Sequence, residues 1–255
     1  MFEQAAESGR NEKPHMVPHR WYRPAWAIAL VGISLPSMSD GLWSGSVDLT
    51  SDYLVRGISR SNDHAAVQLD VHYLNSDGLL AGVFASNTQI DPSEPRDVEI
   101  SGFLGYAWSV SADWQGKILA TYYSYPWNQS GSRYNYDEVD FDALYDGWLG
   151  VTIAYSQNLP RYVEYRGFMG TNSEAAELNL QRPLLGQLSG TAGIGYQYFS
   201  GRDATGYAYG SIGAAYDLAP VILAVSFVDT TAAAKSLFYN AAAGGRWTAT
   251  IIWRF

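Results

Sequence analysis

The chain has 255 residues, no cysteine and a formal charge of −9, and it is 47% hydrophobic, 15% aromatic and 16% charged. Without cysteine there is no disulfide and no thiolate metal site, and the acidic balance argues against nucleic acid, whose phosphates need a basic face. Tyrosine and glycine are abundant and lysine is scarce, a bias toward strands and away from soluble helices.

The first element is a targeting segment. Residues 1–23 are polar and carry Arg10, Lys13, Arg20 and Arg23, and 25–35 is the apolar run AWAIALVGISL. Ser37 and Ser39 then place small side chains where signal peptidase reads them. This layout predicts a signal peptide over 1–39, cleaved after Ser39, and a barrel domain over 40–255. The polar lead is long, so Met16 is an alternative start. An N-terminal membrane anchor is the competing reading, but a spanning helix needs about 20 apolar residues. Removing 1–39 leaves the remainder acidic.

From Asp40 onward the pattern has period two. Val67, Leu69, Val71 and Tyr73 alternate with Gln68, Asp70 and His72; Val139, Phe141, Ala143 and Tyr145 alternate with Glu138, Asp140 and Asp142. Such alternation predicts strands with one apolar and one polar face. Twelve are expected, over 46–58, 65–75, 79–87, 97–109, 115–125, 137–145, 148–156, 174–183, 188–199, 206–218, 221–229 and 246–255. Short turns, as at 75–78, 111–113 and 146–147, alternate with longer polar stretches, as at 87–96, 126–136, 157–173 and 230–245. The segment 161–169 (RYVEYRGFM) suits either a strand of its own or part of an external hairpin, and the short–long alternation places it in the loop.

The expected fold is therefore all-β, a transmembrane antiparallel up-and-down β-barrel of about 12 strands. The expected location is the outer membrane of a Gram-negative cell, with both termini periplasmic. A soluble sandwich or lipocalin-like barrel also alternates, and three features favour lipid. Aromatic residues mark the strand ends: Tyr73, Trp108, Trp114, Tyr145, Trp148, Tyr155, Tyr198, Tyr216, Trp247 and Trp253. The polar face carries charge on many strands, as a wet lumen would. The last strand is alternating and ends on Phe255, with Trp253 and Phe255 outward, which resembles the signal read by the barrel-assembly machinery. Outer-membrane lipid and that machinery are the expected partners.

The run Thr50-Ser51-Asp52-Tyr53-Leu54-Val55-Arg56-Gly57-Ile58-Ser59, followed by Leu80-Ala81-Gly82-Val83-Phe84-Ala85-Ser86-Asn87, resembles a proteobacterial family of predicted outer-membrane β-barrels of unassigned function. That family opens with S-D-Y-x-x-R-G-I-S and continues with G-x-Y-A-G-x-W-x-S-N, here with leucine and phenylalanine at aromatic positions. The resemblance implies fold and location, and carries no activity or site.

Catalysis is poorly supplied. Past residue 39 only His64 and His72 remain, there is no G-x-S-x-G, and the two histidines fit no metal-ligand spacing. No catalytic residue, metal or cofactor is assigned, and the chain is not expected to be an enzyme. The inward phase collects Asp48, Asp52, Asp70, His72, Glu99, Glu138, Asp140, Asp142 and Glu177 against Arg56, Lys117, Arg246 and Arg254. Asp52 and Arg56 are placed on the polar face of the first strand, and Arg246 and Arg254 are expected to meet that strand's acids across the closing seam. Acidic linings favour cations, so the expected function is a small passive porin-like channel for polar or cationic solutes. The alternative is a non-conducting structural or adhesion barrel acting through its external loops, and it expects a plugged lumen.

Overall fold

The computed structural model describes residues 41–129, 131–163, 167–201, 204–238 and 242–255. The expected leader, 1–39, lies outside them. The strands are β1 (Leu42–Thr50), β2 (Leu54–Val55), β3 (Ile58–Ser59), β4 (Ala66–Leu74), β5 (Leu79–Thr88), β6 (Asp97–Ser109), β7 (Trp114–Ser124), β8 (Tyr136–Tyr145), β9 (Leu149–Val163), β10 (Gly167–Leu185), β11 (Leu188–Phe199), β12 (Thr205–Leu218), β13 (Val221–Thr230) and β14 (Arg246–Arg254). A five-residue helix, α1 (Ala233–Leu237), sits between the last two. β1 and β4 to β14 close an antiparallel barrel of twelve strands, each beside its neighbour in sequence, and β1 seals against β14. The seam register sets Ser46 opposite Arg254, Leu49 opposite Ile251 and Thr50 opposite Thr250. Closure leaves no strand edge unpaired.

Period-two alternation decides which side chains enter the barrel. On β14 Thr248 and Thr250 are buried inside, while Trp247, Ile251 and Trp253 are exposed outside, and Phe255 just beyond the strand is exposed as well. On β8 Glu138, Asp140 and Asp142 are buried while Val139 and Phe141 are exposed. On these two strands the inward face is polar and the outward face apolar, the reverse of a soluble domain.

Two expectations about strand ends are corrected. β1 stops at Thr50, not at residue 58: Ser51 makes the last wall contacts, its amide donating to Ala249 O (2.9 Å) and its hydroxyl accepting from Ala249 N (3.0 Å). The chain then leaves the wall and folds into the lumen as an arm, 51–65, containing the small β2–β3 hairpin. The stretch 157–173 is not an open loop. β9 and β10 stay paired through Arg161↔Met169 and Val163↔Gly167, with a register shift between Thr171 and Ser173. Inward Leu159 and Arg161 anchor this extension, Leu159 in the interior cluster and the Arg161 guanidinium 5.6 Å from the centre of the Phe199 ring. The count of twelve is unaffected, because 161–169 lengthens two strands without adding one.

The interior is filled unevenly. At the long-loop end, Leu54 and Ile58 of the arm pack among Tyr123, Tyr125, Tyr136, Phe199, Tyr207 and Val228, under Ala234 and Leu237 of α1. Burying each such aliphatic side chain is worth roughly 1.5–3 kcal/mol. At the short-turn end Leu74, Leu80, Phe103 and Leu119 fill one side. Several inward positions of β11–β13 are small, among them Gly193, Ser211, Gly213, Ala215, Ala224 and Ser226, with the larger Thr191 and Ile222 also buried inward.

Candidate functional site: the lumen and its inserted arm

The arm reaches across the barrel. At its tip Arg56 and Gly57 both have positive φ, +50° and +77°. Gly57 is required twice over: a β-carbon there would strain the left-handed backbone and would lie 2.6 Å from Thr230 Cγ2 and 3.0 Å from Tyr209 Cβ. Gly57→Ala is expected to destabilise the inserted arm by at least about 1–2 kcal/mol, the usual left-handed penalty. Faster protease cleavage within 51–65, with the barrel itself uncut, is the readout; an unchanged cleavage rate would contradict it.

From that tip the Arg56 guanidinium grips the far wall. It donates to both oxygens of Glu138 on β8 (Nη1 to Oε2, 2.7 Å; Nη2 to Oε1, 2.8 Å), to Glu177 Oε1 on β10 (3.3 Å) and to Gln197 Oε1 on β11 (3.2 Å). Asp140 Oδ1 lies 3.8 Å away. The end-on fork to Glu138 is the bidentate geometry that a planar guanidinium makes with a carboxylate. The Tyr207 hydroxyl donates to the Arg56 carbonyl (3.1 Å). Nearer the root, Asp52 accepts from the Ser59 hydroxyl (2.5 Å), the Ser61 hydroxyl (2.8 Å) and Arg246 Nη1 (2.9 Å). The Tyr53 hydroxyl donates to Glu99 Oε1 (2.9 Å), and Tyr125 donates to the other oxygen (2.5 Å). The Arg60 guanidinium lies 5.8 Å from the centre of the Tyr136 ring, within cation–π range.

Of the residues singled out in the sequence, the structure brings Arg56, Glu138, Asp140 and Glu177 into one cluster and Asp52 and Arg246 into a second. Asp52 and Arg56 lie on the arm and not on the face of the first strand, as the sequence pattern suggested. Lys117 Nζ pairs with Asp142 Oδ2 (3.2 Å), whose other oxygen accepts from the Thr152 hydroxyl (2.5 Å). His72 Nδ1 lies 2.6 Å from Asp70 Oδ1, and Asp48 is buried on β1 nearby. Arg254 departs from expectation: it pairs with Asp217 of β12 (3.0 Å), because its neighbour across the seam is Ser46, where β1 has no acid. Tyr53, Arg60, Tyr125, Gln197 and Tyr207 join the lumen network without having been singled out.

The outer surface is banded. Exposed Leu49, Val67, Val83, Ile153, Ile212, Val225 and Ile251 form an aliphatic belt. Aromatic side chains border it toward the short turns (Trp43, Trp114, Tyr216, Trp253) and toward the long loops (Tyr122, Tyr155, Tyr198, Trp247). The Trp43 ring lies tilted against Tyr73 (5.3 Å between ring centres) and Trp114 against Tyr145 (4.9 Å).

Two solved porins share this architecture. The NanC porin superposes with a TM-score of 0.54 at 10% identity, over 83% of this chain and 98% of its own. The KdgM porin gives 0.51 at 10%, over 83% and 99%. At such identities the likeness is one of fold, a porin-type barrel. No curated protein sequence matches the chain. A family model described as a bacterial protein of unknown function (Gcw_chp) matches residues 37–253. The chain belongs to the Gcw_chp family.

Proposed function

We propose that the chain is an outer-membrane channel of the porin type, with both termini periplasmic and a lumen that favours cationic or polar solutes. The observation that carries the membrane reading is the banded exterior around a polar interior: an aliphatic belt between two aromatic rims suits hydrocarbon between two interfaces. Cation preference rests on the inward carboxylates. Asp52, Glu138, Glu177 and Asp142 each meet an arginine or lysine, but among the described residues Asp48 and Asp70 make no ion pair with either. Acidic side chains of this kind raise the local cation concentration. The outward Trp253 and Phe255 are the positions we assign to recognition by the barrel-assembly machinery.

Planar bilayers under a KCl gradient test the reading. The expected result is channel openings with a reversal potential on the cation side, and Asp48→Asn with Asp70→Asn should move it toward zero. Anion selectivity, or silence both from the whole protein and from a variant lacking residues 52–63, would sink it. The second reading, a non-conducting barrel acting through its loops, is favoured by the arm filling the long-loop half of the lumen and by Trp127, 65% exposed on a loop at that end.

A further inference from the structure

We propose that Glu138, Asp140, Glu177 and Gln197 form a subsite for guanidinium- or ammonium-bearing solutes, and that the chain's own Arg56 occupies it in the closed state. The inference rests on the channel reading above and adds to it the solute class and the element that shuts the path.

The acceptors and the guanidinium stand on different footings. Glu138, Glu177 and Gln197 project from three strands of the closed wall, so their spacing is held by the barrel ladder. Arg56 sits on an arm that is not part of that ladder. Past Ser51, the backbone of 52–65 makes a single backbone hydrogen bond to the rest of the barrel among the described residues, from Gln89 N just beyond β5 to Arg60 O (2.8 Å). The rest of its attachment is side-chain hydrogen bonds, ion pairs and the apolar packing of Tyr53, Leu54, Val55 and Ile58 against wall residues. The arm is also where left-handed backbone collects. Of the non-glycine residues with positive φ, Arg56, Asn62 and Asp63 lie within it, and Asp146 lies in a short turn. Such conformations cost energy that withdrawal would release, and they gather in elements that switch.

The chemistry of the cluster is that of a cation site. A planar fork facing both oxygens of one carboxylate, with a second carboxylate on Nε, selects guanidinium over a spherical ion. A buried ion pair gains little net stability because desolvation offsets attraction. Exchanging one guanidinium for another is therefore near balance, as release by a competing solute requires.

Single-channel recording on the refolded full chain tests this. Loss of a charge-assisted hydrogen bond is worth roughly a tenfold change, so Arg56→Ala should raise open probability about tenfold or more over the unaltered chain. Millimolar guanidinium chloride should then block Arg56→Ala in a concentration-dependent way, and sodium should not. Glu138→Gln added to Arg56→Ala should weaken that block about tenfold relative to Arg56→Ala alone. If Arg56→Ala stays silent while the chain lacking 52–63 conducts, the latch is wrong and the channel reading stands. If neither conducts, the channel reading itself fails. If Arg56→Ala conducts but guanidinium and sodium act alike, the subsite is wrong. Should Arg56→Ala not refold, Arg60→Cys with Gln89→Cys serves in its place, since the native chain has no cysteine. A disulfide there should hold the channel shut and reductant should restore openings; equal conductance in both states would overturn the latch.

Discussion

Lys117→Met is expected to cost about 3–5 kcal/mol of unfolding free energy, the usual result of removing one partner from a buried ion pair. Lys117 and Asp142 face each other across β7 and β8 and are both almost wholly buried. With lysine gone, Asp142 keeps the Thr152 hydroxyl but loses its nearest cation. Adding Asp142→Leu should recover most of the loss, because an apolar pair of similar volume is often neutral or better than a buried ion pair. Urea titration of the barrel in detergent reads both numbers. Equal losses in the single and double variants would mean that the pair is hydrated through the lumen, since a wetted carboxylate gains nothing from removal of its charge. The pair bridges β7 and β8 on the wall, one inward position beyond Asp140 of the Arg56 cluster.

The barrel was legible because its strands obey one rule. From β4 to β14, alternation told inward from outward, and turn residues such as Asn75 and Gly78 cut the chain where it turns. That rule fails where function is proposed. In 51–59, Tyr53, Leu54, Val55 and Ile58 put apolar side chains on both phases, which no strand between a wet lumen and lipid should do. Read strictly, the broken alternation and the Arg56-Gly57 pair marked the end of β1. Extending the strand over them put Asp52 and Arg56 on the right side of the wall for the wrong reason. Their partners were out of reach of any local pattern: Arg56 meets Glu138, Glu177 and Gln197 across 82, 121 and 141 residues of sequence. Period two shows that a carboxylate faces inward but not at what depth, and that depends on register and strand tilt. Hence the pattern points Arg254 at the acids of β1, whereas Asp217 of β12 stands at its level and pairs with it.

The arm joins the two functional readings. A lumen filled at one end would suit a non-conducting barrel if its filling were an apolar core continuous with the wall. Here an apolar cluster around Leu54 and Ile58 shares the lumen with ion pairs and hydrogen bonds that gather at the strained tip of the arm. Polar closure of this kind specifies one arrangement more than it stabilises it. On the latch proposed above, the contacts that hold Arg56 against Glu138 and Glu177 are the ones whose exchange would open the lumen.

Ile251→Arg, on the outward face of β14, should cost about 2–4 kcal/mol when the barrel unfolds from a bilayer, as arginine does near the membrane midplane. Ile251 is half exposed, flanked by Leu49 and Leu223 on the neighbouring strands, and lies between Trp247 and Trp253 on its own strand. Leu218→Arg, at the short-turn end of β12, should cost only about 0–1 kcal/mol, because an interfacial guanidinium keeps its water. Both sites are comparably exposed, so helix or strand propensity and lost packing cannot produce the difference; only depth in hydrocarbon can. Unfolding from liposomes measures it directly. Equal, small penalties at the two positions would mean that the aliphatic belt faces water or a protein partner, and the location proposed for this barrel would fall with that result, whatever its lumen conducts.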